Sequence, residues 1–177
     1  MRYSLIREMD ISNGWGVGIS LFVQGCHFHC KGCFNQETWD FNGGKEWTQE
    51  IENKFIELAN KDYIKRISFL GGEPLAKENV ETVLWLIEKM KSKYPDKTIW
   101  LYTGHTWEQI MKSESDIDNL RKQALCSVDI VVDGQFQLNN QDINNKTISW
   151  AGSTNQRVID VKKSVSENDI VLWTPTK

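Results

Sequence analysis

The sequence predicts an α/β fold, specifically a partial, splayed parallel β/α barrel, and three observations carry that prediction. Short apolar runs alternate with stretches of helical periodicity, the pattern of strands joined by crossover helices. Each apolar run ends in a motif of glycine, cysteine or acidic residues, and in parallel sheets ligands gather at the carboxyl ends of the strands. The chain has 177 residues, whereas a closed eight-stranded barrel takes about 250. A single domain over residues 1–177 is expected, with 164–177 as a C-terminal tail.

The elements follow in order. Gly18 to Gln24 reads as a strand that runs straight into the first cysteine. Thr48 is placed to cap a helix whose apolar face is Ile51, Phe55, Leu58 and Ala59. Ile64 to Leu70 is a second strand, closed by Gly71-Gly72. Asn79 is placed to cap the next helix, with Val80, Val83, Leu84 and Ile87 as its buried stripe. Thr98 to Tyr102 is a third strand ending at Thr103-Gly104. Trp107, Ile110 and Met111 mark a short helix that His105 begins, and Ile117 to Leu125 a second. Val128 to Val132 is a fourth strand ending at Asp133-Gly134, and Arg157 to Val161 a fifth. Gln135 to Lys146 is polar and rich in Asn and Gln, the composition of a solvated loop bordering the rim. Ser164 to Lys177 reads as an edge strand or docked tail with one apolar patch, Ile170 to Trp173.

Composition narrows the function classes. Lys plus Arg number 21 and Asp plus Glu 24, a net charge of −3, which gives no electrostatic footprint for nucleic acid. No apolar run approaches the roughly 20 residues of a membrane span, and Met1 to Glu8 lacks the apolar core of a signal peptide. Reduced thiols in the cytoplasm are expected. The eight tryptophans are expected to fill helix–sheet contacts, with one or two left for an interface.

The chemistry concentrates in Cys26-His-Phe-His-Cys30-Lys-Gly-Cys33. Three of the chain's four cysteines share this loop in C-x3-C-x2-C spacing. Cubane iron–sulfur clusters ordinarily take four cysteines, so three leave one iron open to a small molecule. A structural zinc site using His27 or His29 is the main rival, although zinc sites usually pair two ligands from one turn with two from a distant one. Metal-free reactive thiols and a plain electron-transfer module are further alternatives. Cys126 is isolated and reads as a small buried hydrophobe.

The C-x3-C-x2-C loop followed by Gly71-Gly72-Glu73-Pro74 resembles the radical S-adenosylmethionine superfamily. Asn13-Gly14-Trp15-Gly16, Gly32-Cys33-Phe34-Asn35 and Thr38-Trp39 resemble segments of its glycyl-radical activating enzymes. Trp100 to Gly104, Val132 to Gly134 and Gly152 to Arg157 extend that likeness over residues 10–161. Gly18 departs from it, since those enzymes commonly carry Arg there.

The resemblance implies a 4Fe-4S cluster held by Cys26, Cys30 and Cys33. S-adenosylmethionine would chelate the open iron, and reductive cleavage would release a 5′-deoxyadenosyl radical. It implies that Gly71 and Gly72 meet the methionine amino group, with Glu73 as an acceptor nearby, and that Gly32, Cys33 and Phe34 bracket the adenine. Asp133 would reach the ribose or methionine moiety, or else be a solvated turn residue. Asn155 and Gln156 would bring amides near the ligand or cap their loop. The implied partners are the glycyl-radical subunit of an anaerobic ribonucleoside-triphosphate reductase and an electron donor such as reduced flavodoxin or ferredoxin. Small-molecule enzymes of the 7-carboxy-7-deazaguanine synthase kind typically carry Asp-Thr where Phe34-Asn35 stands. The pyruvate formate-lyase activating enzyme, usually longer, is the nearer alternative.

Overall fold

Strict alternation along the central strands decides the architecture. Odd-numbered positions Ile19, Leu21, Ile67, Phe69, Ile99, Leu101 and Val131 join one apolar core, while their even-numbered neighbours Trp100, Ile130 and Val132 belong to a second, smaller one. Successive side chains of a strand point to opposite faces, so the sheet is buried on both sides. The computed structural model describes residues 1–112, 114–141 and 150–175.

Among these residues seven strands form one sheet: β1 (Arg2–Asp10), β2 (Gly18–Val23), β3 (Lys45–Glu46), β4 (Arg66–Gly71), β5 (Thr98–Tyr102), β6 (Ile130–Asp133) and β7 (Arg157–Asp160). Their order is β3-β1-β2-β4-β5-β6-β7. The four central strands, β2, β4, β5 and β6, pair in parallel. β1 joins antiparallel to β2, β3 to β1, and β7 to β6. The fold is therefore a mixed α/β sheet that does not close. The expected all-parallel barrel is corrected at both edges.

Among the described residues the α-helices are α1 (Gln49–Leu58), α2 (Val80–Lys93), α3 (Trp107–Lys112), α4 (Asp116–Ser127) and α5 (Val161–Glu167). All contribute to the larger core, through residues such as Phe55, Ile87, Ile110, Leu125 and Val161. Thr48 caps α1 as expected, its hydroxyl accepting from the Ile51 N–H at 3.4 Å. Asn79 takes the N-cap position of α2 as expected, but its side chain makes no capping bond. Its side-chain amide instead donates to the carbonyls of Gln24 and Glu73, each at 3.0 Å.

β1 lay hidden in the sequence. Leu5 and Met9 are exposed, and Arg7 is spent over the Phe22 ring at 4.8 Å, so the segment reads as charged rather than as a strand. The expected tail starts inside α5. Beyond it Leu172 bridges to Ile159 and Trp173 packs into the smaller core, so a docked tail is what forms. Cys126 lies exposed on α4, which corrects its expected burial. Of the Asn/Gln-rich loop, the part from 142 to 146 lies outside the described residues, as do 176 and 177 of the tail.

Candidate functional site

Two strand ends build the site by locking together. β2 ends at Val23, and Gly25 turns the chain with φ +97. A Cβ on Gly25 would fall 2.0 Å from the Phe41 ring, so no side chain fits. The turn is pinned by the Gly25 N–H to the Thr38 carbonyl at 2.7 Å and the Cys26 N–H to the Trp39 carbonyl at 3.1 Å. The Gln24 side-chain amide donates to the carbonyls of Glu37 and Asp40. The loop closes on itself, with the Cys33 N–H on the Cys30 carbonyl and the Asn35 N–H on Cys33 Sγ at 3.4 Å.

The turn after β4 lies against this loop. The Gly72 N–H donates to the Val23 carbonyl at 2.9 Å and the Glu73 N–H to the Gly25 carbonyl at 2.8 Å. Gly71 holds φ +103, which glycine tolerates and other residues resist. A Cβ on Gly72 would come within 2.4 Å of the Gly25 oxygen. The close approach that demands glycine is thus between the two turns. It secures the cysteine loop, while Gly71 and Gly72 also line the neighbouring cavity.

Glu73 is fully enclosed. Oε1 accepts from the Leu75 N–H and the Thr103 hydroxyl, and Oε2 from the Gly104 N–H, all at 2.8 Å. Burial raises its pKa against those hydrogen bonds. Its carboxylate ties the turn after β5 to the turn after β4, so its observed bonds run to the protein itself.

A cavity of about 300 Å³ opens between these turns. Cys26, Cys30, Cys33, Phe34, Gly71, Gly72 and Glu73 all line it. Among the described residues no three Cys, His, Asp or Glu groups converge tightly enough to hold a single ion. Cys26, Cys30 and Cys33 stand around one shared space. With all three thiols on one cavity and His27 and His29 outside its lining, the donor set fits the three-cysteine ligation of a cluster. Burial pushes the Cys26 thiol up to about 11 and also raises Cys30; cluster binding must therefore displace protons from both. His27 and His29 are exposed, and His27 meets Glu78 at 3.2 Å.

Other expected residues fall elsewhere. Gly32 does not line the cavity; it turns with φ +77 beside Leu138. The Asp133 carboxylate is buried and committed, accepting from Arg157 Nε at 3.0 Å, Arg157 Nη2 at 2.5 Å and the Trp107 N–H at 2.8 Å. Asp133 is not among the residues that line the cavity, although its neighbour Gly134 is. Gln156 does line the cavity, but as a loop clamp: Oε1 accepts from the Gly152 and Ser153 N–H groups while Nε2 donates to the Gly134 carbonyl. Asn155 donates to the Gln135 carbonyl. His105 meets Phe28 edge-on at 4.9 Å, and burial lowers its pKa to about 4.

Several lining residues had no assigned role in the sequence: Ser12, Asn13, Trp39, Tyr102, Phe136 and Trp150. Tyr102 sits one position before Thr103-Gly104, so the strand-end rule alone could have found it. The Ser12 N–H is held by the Asp10 carboxylate at 2.7 Å, and Asn13 by Arg66, a buried arginine of β4. Its guanidinium donates to the Asp10 carbonyl at 2.7 Å, to the Asn13 carbonyl and to the Ser68 hydroxyl. Gly18 is its partner across the parallel strands, and a Cβ there would lie 2.9 Å from the guanidinium carbon. Glycine at that position therefore leaves room for Arg66. Burial drives the Asp10 carboxyl pKa up, but hydrogen bonds from Asn13, Ser20 and the Ser12 N–H, with the charge of Arg66, outweigh it and hold the pKa below the usual range.

Comparison with known proteins agrees with this geometry. Residues 12–159 match the family model of the 4Fe-4S single cluster domain. The chain is 38% identical to the anaerobic ribonucleoside-triphosphate reductase-activating protein of Vibrio cholerae, over 88% of this chain and 96% of the relative. It is 35% identical to the Escherichia coli K12 protein of that name, over 89% and 97%. The protein of that name from Enterobacteria phage T4 is 33% identical over 96% and 100%. The chain belongs to the 4Fe-4S single cluster domain family, and within it to the family of anaerobic ribonucleoside-triphosphate reductase-activating proteins. No helix among the described residues is long and apolar enough to cross a membrane.

Proposed function

We propose that this chain activates an anaerobic ribonucleotide reductase by generating a glycyl radical on it. The observation that carries the reading is one cavity lined by Cys26, Cys30 and Cys33 together with the Gly71-Gly72-Glu73 turn, while the fourth cysteine stands apart on α4. When bound through the three thiolates, a 4Fe-4S cluster supplies the electron that cleaves S-adenosylmethionine, whose 5′-deoxyadenosyl radical takes hydrogen from a glycine of the partner.

The chain's own residues do the rest. The interlocked turns hold the three thiols in register, and Glu73 fixes the Thr103-Gly104 turn beside them. Phe34 offers an aromatic face at the cavity wall for the adenine, 5.0 Å from the Phe136 ring. The backbone of the Gly71-Gly72 turn borders the space where the methionine moiety binds. The open sheet is a splayed half-barrel of the radical S-adenosylmethionine type, and its unclosed side admits a protein segment. Holding the glycine Cα against the reacting carbon makes the abstraction selective. The chain acts as one domain, residues 1–177, in the cytoplasm, fed by a donor such as reduced flavodoxin or ferredoxin. The names of the relatives support the choice of partner.

The test is anaerobic reconstitution followed by mixing with reductant, S-adenosylmethionine and the reductase. A glycyl doublet in electron paramagnetic resonance is expected, with deuterium at the glycine Cα carried into 5′-deoxyadenosine. Ala at Cys26, Cys30 or Cys33 should abolish both cluster and doublet, and Cys126→Ala neither. A reductase that gains no radical while a small metabolite is turned over overturns the proposal.

A further inference from the structure

Cys30 meets a side chain from across the rim. Its Sγ atom lies 4.0 Å from Oε1 of Gln135, 105 positions along the chain in the turn after β6. Gln135 is exposed, and it lines both the cysteine cavity and a second, polar hollow beside it.

The three thiols differ in their surroundings. Cys33 Sγ accepts from the Asn35 N–H at 3.4 Å, close by in its own loop. Burial raises the Cys26 thiol against the N–H groups of Phe28 and His29, also of that loop. Cys30 is met from outside the loop. Burial raises it too, and the first group to oppose that rise is the N–H of Phe136, the neighbour of Gln135.

The backbone that carries Gln135 is fastened. The Gly134 N–H donates to the His105 carbonyl at 3.0 Å, and the Gly134 carbonyl accepts from Gln156 Nε2 at 2.8 Å. The Gln135 carbonyl accepts from the Asn155 amide at 2.8 Å. Among the described residues the Gln135 side-chain amide has Cys30 as its one partner. An amide carries an acceptor and a donor end, exchanged by a half-turn about its last bond. The Cys30 thiol is a donor, and it meets the oxygen. Cluster binding takes the thiol's proton, which makes the sulfur an acceptor and leaves two acceptors face to face.

We infer that in the cluster-loaded protein Gln135 Nε2–H donates a hydrogen bond to the Cys30 sulfur and thereby raises the cluster's reduction potential. The inference rests on the proposed cluster site. Hydrogen bonds to the sulfurs set cluster potentials together with net charge and solvent exposure. Reduction adds one electron, so a donor stabilises the reduced form more than the oxidised form. The sign is therefore upward, easing reduction by the chain's electron donor. Gln135 acts through Cys30, as a positioning and tuning residue.

Gln135→Leu keeps bulk and deletes the amide, while Gln135→Glu keeps shape and replaces the donor with a carboxylate. The proteins are reconstituted anaerobically, assayed for iron and sulfide, and titrated potentiometrically, each midpoint being read on the loaded cluster. The reduced-to-oxidised ratio at a fixed potential should fall about threefold in Gln135→Leu, a midpoint ~28 mV lower at ~59 mV per tenfold for one electron. It should fall further in Gln135→Glu. A second measurement identifies the bond. With side-chain 15N glutamine, pulsed electron paramagnetic resonance of the reduced wild-type cluster should show a 15N coupling that Gln135→Leu lacks, both without S-adenosylmethionine. An unchanged or higher midpoint in Gln135→Leu overturns the inference. So does a 15N coupling that is absent from wild type, persists in the variant or arises only with S-adenosylmethionine. No reductase is present in either experiment, so failure to activate it is scored separately. Wild-type protein that takes up no cluster overturns both readings.

Discussion

Phe69 and Leu70 are neighbours on β4, yet they face two different environments. Phe69 is fully buried in the larger core with the helices, 6.1 Å from the Phe55 ring. Leu70 points the other way and lines the cavity. The helix-covered face is apolar and close-packed. The opposite face holds Ser20, Arg66 and Ser68 in a buried polar network with Asp10, then a tryptophan group in which Trp100, Trp150 and Trp173 meet at 5.1–5.6 Å. One face supplies stability through area removed from water. The other spends burial on polar groups that must each find a partner, and it is where the chemistry sits.

The largest effect should come from breaking the first face. Phe69→Ala removes a ring from the packed core and should cost about 3–5 kcal/mol, a large share of the roughly 5–15 kcal/mol that holds a domain folded. Leu70→Ala opens onto existing space and should cost less, about 1–2 kcal/mol by the smaller area it uncovers. Chemical denaturation measures both. Cluster uptake per folded molecule should be unchanged in the first variant and altered in the second. Equal costs with equal uptake would mean that the two faces do not divide stability from function.

Gly72→Val sharpens the comparison at the boundary between the faces. The added Cβ would meet the Gly25 oxygen at 2.4 Å, and backbone cannot yield as a flexible side chain can. Overpacking of this kind costs about 1–3 kcal/mol. Because the strain falls on the residue before Cys26, cluster loading should drop together with stability. Iron and sulfide content after reconstitution, set beside the melting curve, checks it. Full loading with weakened S-adenosylmethionine binding would restore the simpler view that Gly72 serves only the ligand.

What was legible in the sequence follows the same division. The helix face announces itself by periodicity: Phe55 and Leu58, then Val80, Val83, Leu84 and Ile87, recur at helical spacing and all are buried. The cysteines were legible because their spacing is local, and Gly71-Gly72 because they close an apolar run. The side-chain partners of Asp133 and Asn79 were illegible for one reason. Their side chains serve partners distant in sequence, Arg157 for the first and Gln24 for the second, and no local pattern records such pairings. β1 was missed because only Tyr3 and Asp10 of its nine residues are buried, so the alternation that marks a strand is nearly absent.

The smallest expected effect tests the fastening of Asp133 at the rim. Arg157 is forked between Asp133, at 3.0 and 2.5 Å, and Glu108, at 2.8 and 2.9 Å. The bidentate bond from Arg157 holds the Glu108 carboxyl at a pKa of about 2, well below its usual 4.5. A carboxylate whose pKa is lower folded than unfolded stabilises the fold fully above the unfolded value. That contribution is lost as pH falls through the folded one. The Glu108 side chain is 43% exposed, so solvent screening limits the pair to about 1 kcal/mol or less. Wild type should therefore exceed Glu108→Gln in stability by that small amount at neutral pH, with the gap narrowing from about pH 4.5 towards 2. Denaturation midpoints of the two proteins across that range measure it. Asp133, buried and bonded also by the Trp107 N–H, should keep Arg157 in place in the variant, so cluster loading at neutral pH should not change. A variant that loses cluster would show that the Glu108 end of the fork, although on the surface, is coupled to the cavity as tightly as the turns that hold the thiols.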